Sequence, residues 1–232
     1  MPHQKIKRAR LELGLLLLLM LVTTLIFWNS DLDQRIAALF YHSELRNPWP
    51  TKQWWLVKPL YDYAFPFTVL SGIVAFLVYL FGHFHRYTAR FRRRALYILL
   101  VIAIGPGLLV NLVVKDHWGR PRPINVKTFS GKYDYVPPGR IAQTPDKSFV
   151  CGHCSVAYTF VVLYFLSQNH KWLYLLLTLV LGAGMGSTRM LAGGHFLSDV
   201  LWSGYLVFLV AYVLYYGWFL ELAWWRPRRK VY

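Results

Sequence analysis

The stretch Ser187–Asp199, STRMLAGGHFLSD, holds an arginine, a histidine and an aspartate at spacings that suit phosphate chemistry. His195 and Asp199 are four positions apart, so on a helix they share a face and the carboxylate can hydrogen-bond the imidazole. An imidazole oriented in this way has one nitrogen fixed as donor. The other keeps a lone pair that can accept a proton or attack as a nucleophile. Arg189 adds a planar guanidinium suited to bidentate binding of phosphate or carboxylate. A single histidine near a helix end is more often structural, so the reading depends on what converges with it.

Two other clusters supply partners. KDHWGRPRP places Lys115 and Arg122 after an apolar run, and SFVCGHCS places Gly152 and His153 at the opening of a helix. Lys115, Arg122 and Arg189 together can neutralise the equatorial oxygens of a phosphoryl group. The Gly152 amide and the opening helical turn add aligned N–H donors. Of the two histidines, His195 has a carboxylate and His153 has none, which is the division expected of a nucleophile and a general acid.

The elements that must bring these clusters together are membrane helices. The chain has 232 residues, 56% of them hydrophobic, and apolar runs of about 20 residues, long enough to cross a bilayer, recur along it. The pattern predicts an all-α integral membrane protein, a bundle of six transmembrane helices forming a single domain over residues 1–232. The spans fall at about 11–29, 61–82, 95–115, 152–167, 172–188 and 196–220, with the second interrupted early by Pro66. The run at the N-terminus is too long for an ordinary signal peptide and has no small-residue cleavage site after it, so it reads as a retained first span. After it, the segment from Arg35 reads as a short amphipathic helix in the interface, broken by NPWP. Trp49, Trp54, Trp55, Tyr61 and Tyr63 read as an interfacial aromatic belt.

The net charge of +16 is clustered at Lys5–Arg10, Arg86–Arg94 and Arg226–Lys230, flanking apolar runs. That is the topology signal of cytoplasmic loops, and it favours anionic phospholipids over nucleic acid as a partner. The N- and C-termini are then cytoplasmic. The three polar clusters, in loops 115–153 and 187–199, share the opposite face.

Those clusters carry a resemblance. The chain resembles the type 2 phosphatidic acid phosphatase superfamily, with the signature Lys-x6-Arg-Pro, then Pro-Ser-Gly-His, then Ser-Arg-x5-His-x3-Asp. Lys115 through Arg122-Pro123 matches the first motif. Arg189, His195 and Asp199 match the third, with Thr188 in the place of Ser. Val150-Cys151-Gly152-His153 keeps only the Gly and His of the second. The SFVCGH motif and the RPRP loop look most like bacterial lipid A phosphatases of the 4′-phosphatase branch.

The resemblance implies a multi-pass enzyme of the bacterial inner membrane whose site faces the periplasm. It implies catalytic residues His195 (nucleophile), Asp199 and His153, and phosphate-binding residues Lys115, Arg122, Arg189, Gly152 and Cys151. The substrate would be a phosphorylated lipid reaching the site from the outer leaflet, with neither metal nor cofactor. Lipid A is expected first, with undecaprenyl pyrophosphate, phosphatidylglycerol phosphate and phosphatidic acid as alternatives.

Rival classes rest on the same residues. CGHC at 151–154 resembles a thiol–disulfide redox site, but no βαβ pattern surrounds it. A zinc site through Cys151, His153 and Cys154 lacks a fourth ligand. A transporter would place its charges at the bilayer midplane, and here they sit at span ends. His117 reads as a surface residue. Lys127, Lys132, Arg140 and Lys147 form a basic loop that would hold a large headgroup or face anionic lipid.

Overall fold

The computed structural model describes residues 2–50, 55, 57–167 and 169–220, with residues 2–5, 60 and 61 by backbone only. Trp54, the Tyr61 side chain, Lys5 and the basic cluster Arg226–Lys230 lie outside the described residues and side chains. The chain is all-helical among the described residues: α1 (Pro2–Trp28), α2 (Leu32–Ala38), α3 (Val57–Phe81), α4 (Arg86–Ala89), α5 (Arg92–Ile102), α6 (Lys115–Trp118), α7 (Gly152–Tyr158), α8 (Val161–Leu166), α9 (Lys171–Leu191) and α10 (Leu197–Val213). A π-helical stretch, Ala103–Val114, joins α5 to α6, and a second, Leu214–Phe219, extends α10.

Five of these helical runs are long and apolar enough to cross a membrane: Ile6–Trp28, Val57–Phe81, Arg92–Asn125, Lys171–Leu191 and Leu197–Phe219. The expected fourth span is shorter. Gly152–Leu166 is broken between Tyr158 and Val161 into α7 and α8, and at 1.5 Å per residue it reaches only about 22 Å against a core of about 30 Å. The expected interruption at Pro66 does not occur, and α3 runs through it. A proline inside a helix removes one backbone hydrogen bond, a loss membrane helices tolerate where local side chains and neighbours satisfy the freed groups.

α10 is the centre of the bundle and packs against α1, α5, α7, α8 and α9. Glycines let α7, α9 and α10 approach closely. The Tyr158 ring occupies the space a Cβ would need at Gly182, 2.1 Å away, and at Gly204, 3.0 Å away. Val200 fills the corresponding space at Gly186, 2.4 Å away. Small residues at such contacts are the usual means of bringing membrane helices together. Here they seat the end of α9, with Arg189, beside the starts of α7 and α10.

The two ends of the bundle differ in chemistry. At one end Arg8 of α1 pairs with Glu12 at 2.7 Å, and Glu12 accepts from Tyr164 of α8 and Tyr216 beyond α10. Arg93 of α5 lies over the Trp218 and Phe219 rings at the same end. The other end gathers α2, the 119–151 connection and the α9–α10 corner. There the Trp28 indole donates to Pro138 O at 2.7 Å, and Arg140 stacks on its ring.

Candidate active site

The α9–α10 corner is shaped by two glycines. Gly193 adopts a left-handed backbone (φ +62°), and the Trp49 indole lies 2.6 Å from where its Cβ would be. Gly194 faces Arg189, whose Nη2 lies 2.7 Å from the equivalent position, so a side chain there would displace the guanidinium. Trp49 is therefore a core residue, packed at a tilt against Tyr41 and edge-on against Phe129 and 2% exposed, where a belt residue was expected. Trp55 and Tyr63 are exposed.

His195 sits in this corner, just before α10, and is 1% exposed. Its Nδ1 lies 2.7 Å from Ser148 O and 3.6 Å from Asp199 Oδ2. A carbonyl only accepts, so Nδ1 carries the proton and Nε2 keeps the lone pair. This corrects the expected carboxylate–imidazole hydrogen bond: α10 begins only at Leu197, so His195 and Asp199 do not share a helical face. At 3.6 Å Asp199 still favours the imidazolium, through both residual hydrogen bonding and charge. Burial outweighs both and pushes His195 down to about 4, so the imidazole is neutral at pH 7.

Asp199 is saturated by other donors. Its Oδ2 accepts from Ser148 Oγ at 2.6 Å and from the Phe196 N–H at 2.9 Å, and its Oδ1 accepts from Arg120 Nη1. Arg120 is fully buried and also reaches Asp33 of α2 (Nη2 to Oδ2, 2.8 Å), Ser198 Oγ (2.8 Å) and Val136 O (2.8 Å). Its guanidinium lies against both the Phe196 and Tyr135 rings, which also pack edge-to-face on each other. Neither Arg120 nor Asp33 stood out in the sequence. The one signal for Arg120 was its place in RPRP, two positions before Arg122.

The remaining basic side chains converge. The charges of Arg122 and Arg189 act on Lys115, and those of Arg189, Lys115 and Arg122 act on His153. Arg122 Nε is buried and has no hydrogen-bond partner among the described residues, while the Arg122 backbone N–H is held by Asp146 at 2.9 Å. Gly152 is pressed against this group: a Cβ there would meet Asn111 Oδ1 at 2.4 Å and Lys115 Nζ at 3.2 Å. Asn111 is a third residue the sequence did not single out. It lies in the π-helical stretch that contains Pro106, and its amide satisfies Pro106 O at 2.6 Å.

Cys151 and Cys154 are disulfide-bonded and fully buried. A disulfide sulfur has no hydrogen to donate, so a phosphate contact from a Cys151 thiol is ruled out. The Cys151 N–H is directed to Asp199 O at 3.3 Å, and Ser203 Oγ donates to Cys151 O at 2.7 Å, which ties the start of α7 to α10. Among the loop cations, Lys127 pairs with Asp134 and Lys147 with Asp116, so both are neutralised locally. His117 is at the surface, as expected, with Nδ1 on Val113 O.

The model of the PAP2 superfamily matches residues 94–222, more than half of the chain, and that span contains all three clusters. The chain belongs to the PAP2 superfamily. Among curated relatives of this PAP2 chain, a lipid A 4'-phosphatase of Francisella tularensis subsp. novicida is 36% identical over 196 residues, 82% of this chain and 87% of the relative. Proteins of the same name from Rhizobium etli and Rhizobium leguminosarum are 34% and 35% identical over 114 residues. Each of those matches covers 48% of this chain, and they cover 44% and 48% of the two relatives. No solved structure matches the PAP2 chain.

Proposed function

We propose that this chain is a membrane lipid phosphatase that removes phosphate from lipid A by way of a phospho-histidine on His195. The observation that carries the reading is the buried, neutral His195, its Nδ1 proton fixed on Ser148 O, set among Lys115, Arg122 and Arg189. An anion with several charges is the ligand such a cluster favours, and the lone pair left on Nε2 is the nucleophile for attack on phosphorus. The PAP2 match and the lipid A 4'-phosphatase relatives support the substrate class.

In the proposed reaction, His195 Nε2 forms a bond to phosphorus as the bond to the lipid oxygen breaks. His153 gives its proton to that oxygen, and Lys115, Arg122 and Arg189 hold the three equatorial oxygens with the Gly152 amide beside them. His153 then takes a proton from water, whose oxygen attacks phosphorus and frees His195 and inorganic phosphate. The cations supply the charge neutralisation, and the scheme calls on no metal.

We also place the chain in a bacterial inner membrane as a six-span, single-domain protein. Its termini are cytoplasmic, α2 lies at the interface, and the site faces the periplasm. Support comes from the basic Arg86–Arg94 segment, whose Arg93 packs at the bundle end opposite the site. Substrate enters laterally from the outer leaflet, and the basic end contacts anionic phospholipids. Phosphate release by purified protein from lipid A, undecaprenyl pyrophosphate and phosphatidylglycerol phosphate tests the reading. Lipid A is expected to be the preferred substrate, and phosphate release from none of them overturns the assignment.

A further inference from the structure

Asp33 lies in α2, 87 positions from Arg120 and 165 from Ser198, yet it is fully buried against both. Its Oδ2 accepts from Arg120 Nη2 (2.8 Å), the Tyr135 hydroxyl (3.1 Å) and Ser198 Oγ, and its Oδ1 accepts from the Ser198 N–H (3.0 Å). Arg120 holds Asp199 with its other terminal nitrogen. Two carboxylates thus share one guanidinium, and the trio carries a net charge of −1.

That count bears on the chemistry. If Asp199 were paired with Arg120 alone, the cation would offset part of the carboxylate's field at His195, 3.6 Å away. The second carboxylate offsets Arg120 and restores a negative charge behind the imidazole. We propose that Asp33 is a positioning residue of the phosphatase: through Arg120 it fixes both the place and the effective charge of Asp199. This rests on the reading of His195 as the nucleophile. A nucleophilic imidazole gains positive charge as it bonds to phosphorus, so a net negative trio behind it stabilises that state more than the ground state.

The other charged groups facing His195 are Arg189 of α9, Lys115 of α6 and His153 of α7, all of which oppose a positive charge on it. The trio is the counterweight to them. It also gives α2 a task beyond lying on the membrane surface, because Asp33 and Ala37 are the residues of that helix that are buried.

A charge series tests the proposal. Asp33→Asn takes the trio to 0, Arg120→Gln takes it to −2, and the double variant returns it to −1. The readout is the acidic limb of kcat/KM, compared with wild type on the same substrate so that substrate ionisation cancels. The limb is expected to move to lower pH in Asp33→Asn, with kcat down roughly tenfold, and to higher pH in Arg120→Gln. In the double variant it returns toward wild type. Limbs that stay put in the folded single variants, or a double variant displaced further than either single, overturn the proposal and leave Asp33 as a packing residue. If Asp33→Asn does not fold, Arg120→Gln against the double variant decides the same question. His195→Ala is run alongside: turnover in that variant sinks the nucleophile reading itself, whereas an inactive His195→Ala with unmoved limbs sinks only the proposal for Asp33.

Discussion

Burial and hydrogen bonding act together on His195. Burial disfavours the imidazolium, the Ser148 carbonyl holds the Nδ1 proton, and the result is a neutral ring with its lone pair on Nε2. The sign of the pH dependence follows. The reactive form of His195 is the deprotonated one, so it sets the acidic limb, where activity is lost as pH falls through its pKa, while the proton required on His153 sets the alkaline limb. With that pKa lowered to about 4, the acidic limb of kcat/KM, corrected for substrate ionisation, should be centred near pH 4. A limb centred near 6.5 would show a solvated His195. At this scale the sequence was informative where residue type alone implies chemistry, as with Lys115, Arg122, Arg189, His153 and His195. It was silent on Asp33, Arg120 and Asn111, because an aspartate in a short amphipathic segment acquires its meaning only from a partner 87 positions away.

At the scale of elements, the start of α7 is the part that departs most from expectation. Cys151 occupies the position where the family signature has a serine, and its sulfur is bonded to Cys154 within the first helical turn. In the proposed site this turn contributes its backbone and His153, and it is tied to α10 through Cys151 O and N. The double variant Cys151→Ser/Cys154→Ser is therefore expected to keep phosphate release. Its stability should fall by about 2 kcal/mol, the loop-closure entropy of so short a ring. A thermal melt in detergent and a phosphate assay check both halves, and complete loss of activity in a folded variant would favour the redox reading of CGHC. The long apolar runs were legible from composition, since a bilayer demands them. The short α7–α8 pair, the continuity of α3 through Pro66 and the burial of Trp49 were not. Each depends on which neighbour covers the segment, and hydropathy does not record that.

Across the whole molecule, charge and chemistry are segregated along the bundle axis. The Arg8–Glu12–Tyr164–Tyr216 cluster and Arg93 mark one end, and the α9–α10 corner with His195 marks the other. With the basic end cytoplasmic, a cysteine introduced at half-exposed Lys147 should react with a membrane-impermeant maleimide added outside a cell whose outer membrane has been opened. One at exposed Arg90 should react only after the inner membrane is permeabilised. The reverse pattern would invert the topology.

The most direct test of the central claim is to look for the covalent intermediate. Enzyme turning over lipid A is quenched at alkaline pH, digested and examined by mass spectrometry. The account predicts one phosphoryl group on the peptide that contains His195, absent in His195→Ala, which should also release no phosphate. An unmodified His195 peptide together with wild-type-like turnover in His195→Ala would contradict it.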